Sequence, residues 1–216
     1  MMYLFDFITK FPVAVFRKFT QRSKEAKLFG TYIYTSLAGA GKTYSIVKDV
    51  ISAKQKFGDD IFIVSNIDIK LDGKSIVDRP LKKISDITER VDKQKLIVID
   101  ELPFLFSSRK FKDFPYSVLC LLTTCRKGKG VAIYCSTQRL YLVDKTFRTL
   151  CDKIIVCRTY FGNLTCNYYY DPLKIDNDTG ELTGQPDKKE CFLQNAVIRN
   201  AYDSFDSVSG VEFDEN

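Results

Sequence analysis

Between Thr31 and Val50 the chain reads TYIYTSLAGAGKTYSIVKDV, and this stretch restricts the possible folds more than any other. Thr31 to Thr35 is an apolar run rich in β-formers. Ser36, Leu37, Ala38, Gly39, Ala40 and Gly41 make a small-residue turn. Lys42, Thr43 and Tyr44 then open a segment in which Ile46, Val47 and Val50 recur at helical spacing. Strand, small-residue turn and helix is the context in which a GKT sequence cradles phosphate. Backbone N–H groups must curl around phosphate oxygens, and side chains would obstruct that approach. The helix N-terminus adds the positive end of its dipole. Residues 36–44 are thus the predicted ATP-binding loop, with Lys42 reaching the β- and γ-phosphates and Thr43 holding Mg²⁺. The pattern asks for Gly at its first place, where this chain has Ser36; a serine fits there if its φ is negative.

A second constraint lies about 57 residues downstream. Leu96 to Ile99 is a continuous apolar run that ends in Asp100 and Glu101. Such a run reads as a central parallel strand with two carboxylates at its C-terminal end, where ligands of open α/β sheets sit. Asp100 is expected in the Mg²⁺ shell, and Glu101 as the base that orients and polarises an attacking water. Val131 to Gln138 is another buried strand, and Gln138 at its end can sense the γ-phosphate or that water. Further strands are read at 61–66 and 153–158. Helices are read at 114–125 and, amphipathically, at 140–150. Residues 70–94 read as a surface helix and loops, 159–184 as a β-extension or hairpin, and 188–205 as a short helix. Strands mostly separated by helices predict an α/β fold, a P-loop NTPase with a central, mostly parallel sheet.

Composition narrows the partners. Of 216 residues, 33 are Lys or Arg and 27 are Asp or Glu, but they are unevenly spread. Residues 1–162 carry a net +13 and residues 163–216 a net −7. A basic body with an acidic tail suits a polyanion partner. The 7 Cys form no CxxC pair and His is absent, so zinc and His-based catalysis are not expected. Without a secretory signal, the thiols are expected to be reduced and mostly buried, in a cytosolic protein. Residues 1–27 form an aromatic-rich amphipathic segment interspersed with and followed by bases. Asp6, Lys10 and Pro12 break it too often for it to cross a bilayer. It suits either a membrane surface or the body of the protein. Ser107 to Lys112 is a basic loop that can touch DNA phosphates or simply be solvated.

Taken together, SLAGAGKT (36–43), IVSNI (63–67), IVIDE (97–101), CRKGKG (125–130), STQ (136–138) and VDKTFR (143–148) resemble the FtsK/HerA group of P-loop ATPases. The nearest look is to the zonula-occludens-toxin-like (Zot) ATPase domain of the filamentous-phage assembly type, with small viral genome-packaging ATPases a near branch. The resemblance covers roughly residues 28–160, leaving the N-terminal segment 1–27 and an extension with an acidic tail at 161–216. It implies the additional-strand, catalytic-glutamate version of the fold. It also implies a homo-oligomeric ring, a hexamer, that uses ATP and Mg²⁺ to move or package DNA. In such rings an arginine completes a neighbour's site, and Arg126 stands where the group places it, with Arg148 as second choice. Zot-like proteins usually carry a transmembrane helix after this domain, and its absence here favours a packaging motor in the host cytoplasm or virion. The alternative is a virion-assembly ATPase, peripheral at the inner membrane, that meets coat or capsid protein or a membrane through residues 1–27. A P-loop nucleoside kinase is a third reading, disfavoured because the four-Cys zinc site of such enzymes is missing.

Overall fold

The computed structural model describes residues 27–104, 106, 115–176 and 179–203. The N-terminal segment apart from Lys27, the basic loop Ser107–Lys112 and the acidic tail from residue 204 lie outside the described residues. In chain order the elements are β1 (Gly30–Thr35), α1 (Lys42–Phe57), β2 (Ile61–Ser65), three two-residue strands β3 (Lys70–Leu71), β4 (Lys74–Ser75) and β5 (Arg79–Pro80), then α2 (Ile84–Thr88) and β6 (Gln94–Ile99). They continue with α3 (Tyr116–Thr124), β7 (Val131–Thr137), α4 (Lys145–Leu150), β8 (Lys153–Tyr160), β9 (Leu164–Tyr170), β10 (Lys188–Leu193) and α5 (Ala196–Arg199).

Eight strands form one sheet in the order β10-β9-β8-β1-β7-β6-β2-β5. From β8 to β5 every pairing is parallel; β9 and β10 are added antiparallel. The central strands are continuous apolar runs because both faces are covered. On one face Ile33, Ile97, Ile133 and Ile154 pack with Val118, Leu122 and Phe147 of α3 and α4. On the other, Tyr34, Ile63, Leu96, Val98 and Tyr134 meet Ile46, Val47 and Val50 of α1, the residues whose spacing marks that helix in the sequence. The outer strands are blunted against pairing with other chains: β5 is two residues long and contains Pro80, and β10 begins with Lys188 and Lys189.

One arrangement decides where the chemistry goes. β7 lies between β1 and β6, so the phosphate-loop strand and the carboxylate strand are separated by a third strand. This is the expected additional-strand topology of a P-loop NTPase. The strands after β8 continue the same sheet, so the extension is hydrogen-bonded along its length to the body.

Four expectations need correction. Residues 188–205 are not a helix. Residues 188–193 form β10, and only Ala196–Arg199 is helical. Phe192, Leu193, Val197 and Ile198 do have helical spacing, but the open edge of β9 offers unpaired N–H and C=O groups, and pairing to them overrides the local pattern. Residues 70–94 hold a small β3–β4 hairpin and the strand β5 besides the one short helix α2. The 140–150 segment is broken: a 3₁₀ turn at Leu140–Leu142, then α4, whose N-cap Asp144 accepts from the Thr146 and Phe147 N–H groups. Finally, the thiols are not all reduced. Cys166 and Cys191 stand opposite each other across β9 and β10, with Cα atoms 4.1 Å apart, and form a disulfide. Cys125, Cys135, Cys151 and Cys157 are buried free thiols, and Cys120 is half-buried.

The disulfide closes a loop with a sequence separation of 25. Replacing Cys166 and Cys191 by Ser should lower the unfolding free energy by about 3 kcal/mol. The measurement is a shift of the urea midpoint, and reduced wild-type protein should unfold close to the double variant.

Candidate nucleotide site

The turn after β1 has the backbone that phosphate binding requires. Gly39 and Gly41 adopt positive φ (74° and 89°). Ser36 is absent from the non-glycine residues with positive φ, so the departure from the pattern's first glycine is accommodated as expected. Gly41 is fixed by close approach as well as by φ. A Cβ there would sit 2.6 Å from Thr159 Oγ1 and 3.2 Å from Thr165 Oγ1. Thr159 donates to the Ala40 carbonyl (3.0 Å), and the two threonine hydroxyls are 2.9 Å apart. The β8–β9 hairpin thus supports the loop from beneath. Lys42 is buried, and its Nζ donates to the carbonyls of Ser36 (3.0 Å) and Leu37 (3.2 Å). That holds the ammonium at the mouth of the loop, within reach of an arriving anion.

Asp100 lies at the centre of the site. Thr43 Oγ1 donates to its carboxylate, 3.2 Å from each oxygen. Ser136 Oγ donates to Oδ1 at 2.5 Å and accepts from the Glu101 N–H at 2.8 Å. Asn66, just beyond β2, grips the Asp100 main chain from the other side. Its Oδ1 accepts from the Asp100 N–H and its Nδ2 donates to the Asp100 carbonyl, both at 2.8 Å. Glu101 has φ 57°, a left-handed conformation costing a non-glycine residue on the order of 1–2 kcal/mol. The bond to Ser136 holds it there. Gln138 Nε2 donates to Glu101 Oε1 at 3.3 Å. Lys42, Thr43, Asp100, Glu101 and Gln138, taken from α1, the end of β6 and the end of β7, therefore stand around one place.

That place is a cleft of about 370 Å³, lined by Lys42, Thr43, Asp100 and Glu101 together with Gln194 and Tyr202. The last two come from a strap, residues 194–203, that crosses over the start of α1. Gln194 Nε2 donates to Thr165 Oγ1 (2.8 Å), the Asn195 N–H to the Tyr44 hydroxyl (2.8 Å), and the Lys70 N–H to the Ala201 carbonyl (2.7 Å). Tyr44 also stacks on Phe192 of β10 at 5.9 Å. Burial, and then the negative charge of Asp100, raise the Tyr202 phenol above its ordinary pKa, so it stays protonated and available as a donor. Beneath the loop, burial pushes the Cys157 thiol up to about 12, which makes it inert.

Asn66, Ser136, Thr159, Thr165, Gln194 and Tyr202 were not singled out as site residues. Asn66 and Ser136 do have a sequence signal: each is a polar residue at the end of a buried strand, as are Asp100 and Gln138. The rest had none, because their roles depend on how the extension folds back. The two arginines are not at the cleft. Arg126 precedes β7 at the opposite edge of the sheet, roughly 20 Å away by strand length; it pairs with Asp152 (3.3 Å) and lies over the Phe29 ring (5.2 Å). Arg148 is buried on α4, with Gly180 close against it.

No protein-family model matches the chain. No curated protein matches it either. Solved structures do. The N-terminal domain of zonular occludens toxin from Neisseria meningitidis matches with a TM-score of 0.54 at 15% identity, covering 82% of this chain and 100% of that one. The chain has a P-loop NTPase fold. Another solved ATPase domain matches this P-loop fold with a TM-score of 0.52 at 10% identity, covering 88% of this chain and 96% of that one. A weaker likeness, TM-score 0.45 at 17% identity over 61% of this chain and 76% of that one, is to the genome packaging NTPase B204 from Sulfolobus turreted icosahedral virus 2, and it adds nothing to the fold assignment.

Gly41→Ala tests the loop without touching a charged group. Strain at φ 89° together with the clash against Thr159 should destabilise the protein by about 2–4 kcal/mol. Adding Thr159→Ala should recover only part of that, since it relieves the clash and not the φ. Thermal unfolding of the three proteins is the measurement.

Proposed function

We propose that the chain is an ATP-hydrolysing motor that acts on DNA, of the translocating or packaging type. One observation carries the reading: the lysine and threonine of the phosphate loop, the paired acids after β6 and the glutamine after β7 border a single cleft. Lys42, on release from the Ser36 and Leu37 carbonyls, would neutralise the terminal phosphates, while the N–H groups of residues 38–43 bind their oxygens. Glu101, kept in position by Gln138 and by its own N–H bond to Ser136, would take a proton from water. The water oxygen attacks the γ-phosphorus as the bond to the β-phosphate oxygen breaks, leaving ADP and inorganic phosphate. Thr43 and Asp100 would hold Mg²⁺. They already touch, their oxygens are hard donors of the kind this ion takes with phosphate and water completing its shell, and Ser136 fixes the carboxylate from behind. When bound, the ion neutralises charge that develops on the phosphates.

The DNA part of the proposal is supported by the basic body of the sequence and by its resemblance to ring motors. In a ring, Arg126 would have to reach a neighbour's cleft, which its place on the far edge and its exposure permit. A second reading, an assembly ATPase of the Zot type, is supported by the full coverage of the Zot N-terminal domain. Deleting residues 1–26 discriminates. Loss of membrane or coat-protein association with hydrolysis intact favours assembly.

The decisive experiment is release of phosphate from ATP with and without DNA. Lys42→Ala and Glu101→Gln should each lower turnover by at least about a hundredfold. Glu101→Gln should still bind nucleotide, because the exchange leaves the phosphate loop intact. Chelation of divalent cations should abolish turnover. Absence of hydrolysis by the wild-type chain under every condition would overturn the proposal.

A further inference from the structure

The extension has a second surface, on the side of the sheet away from α1. Alternation along β8, β9 and β10 sends Thr159, Thr165, Asn167 and Phe192 towards the phosphate loop and α1, and sends Arg158, Tyr160, Tyr168, Lys189 and Leu193 to the opposite side. The cross-strand contacts agree. The Lys189 ammonium lies 5.2 Å and the Arg158 guanidinium 5.6 Å from the centre of the Tyr168 ring. The Tyr160 and Tyr168 hydroxyls are 3.3 Å apart, and Arg158 and Tyr168 together hold the Tyr160 phenol below its usual pKa. The one acid in these three strands, Glu190, goes to the other side, where it pairs with Lys48. Among the described residues the surface is left open. Arg158, Tyr160 and Lys189 are exposed, and Phe161 at the tip of the β8–β9 turn is 95% exposed. Phe161 and Gly162 both have left-handed φ (52° and 73°). A turn of that type holds the aromatic ring outward on a short connection. The Cys166–Cys191 disulfide crosses the middle of the surface and ties β10, which carries Lys189, to β9.

We propose that this face binds single-stranded DNA. Cations spaced among exposed aromatic rings on an antiparallel sheet, with no acid between them, fit an extended strand. Phosphates meet Arg158 and Lys189, and bases stack on Tyr160 and Phe161. A duplex hides the faces of its bases and offers only phosphates to such a surface, which leaves the aromatic rings unused. The inference rests on the DNA-motor reading above and names its contact surface. The β8–β9 hairpin also carries Thr159 and Thr165, which support the phosphate loop, so a strand held on one side of it lies one sheet's thickness from the loop.

The test is fluorescence anisotropy of a labelled oligodeoxythymidylate of about 20 nucleotides with the full chain, beside a duplex of equal length. The single strand should bind more tightly and show a strong salt dependence. Arg158→Glu with Lys189→Glu should weaken it at least about tenfold, and Tyr160→Ala with Phe161→Ala about tenfold. Arg158→Lys with Lys189→Arg should restore most of the affinity. ATP turnover without DNA should be unchanged in all three, which shows that they are folded. Equal affinity of wild type and both disruptive variants, or tighter binding of the duplex, would overturn the proposal. The two readings fail separately: if Lys42→Ala abolishes nothing because the chain never hydrolyses ATP, the motor is lost while the binding surface is still measured on its own.

Discussion

Everything at the cleft depends on how the carboxylate of Asp100 is shared. It accepts from Thr43 at the start of α1 and from Ser136 in β7, while Asn66 at the end of β2 holds its main chain. A buried or half-buried carboxylate deprived of a donor costs about 1–3 kcal/mol or more, so each of these segments is held where the others need it. The register of the sheet makes the sharing possible. Ile99 lies beside Cys135 and Val64 beside Ile97, and so the next polar residues of the three strands arrive together. A slip of one residue would turn Asp100 to the opposite face and bring an isoleucine to the site.

The sequence reveals the body of the fold well because the body obeys local rules. Continuous apolar runs at Ile61, Leu96 and Val131 are strands because only a sheet covered on both faces would bury them. Ile46, Val47 and Val50 are a helix face because that spacing allows little else. Small residues from Ala38 to Gly41 need no tertiary context to be read as a loop that admits phosphate. The extension is different. Whether Phe192 lies on a helix or a strand depends on β9 being an open edge, which nothing within 188–205 announces. Cys166 and Cys191 are far apart in the chain and become neighbours only through that pairing, so the thiols are misread for the same reason as the helix.

The extension is also what turns a generic phosphate loop into a particular cleft. Thr159 and Thr165 close the space behind Gly41, and Gln194 and Tyr202 form a wall that no phosphate-loop pattern contains. The side chains of one hairpin thus serve two neighbourhoods, polar hydroxyls against the loop and aromatic rings with cations away from it. Alternation in a strand makes this division automatic. It also means that substitutions in β9 act on one side or the other according to whether their position is odd or even.

The strap over α1 has a consequence for how the protein comes into being. The phosphate loop belongs to the first fifth of the chain, yet its supports arrive at Thr159, Thr165, Gln194 and Ala201. On a ribosome, where the chain emerges from its N-terminus, the loop is exposed long before those supports exist. Assembly of the catalytic centre is therefore deferred until translation is nearly finished, and a nascent fragment lacking the last quarter has its glycines and lysine but no finished chamber to put them in.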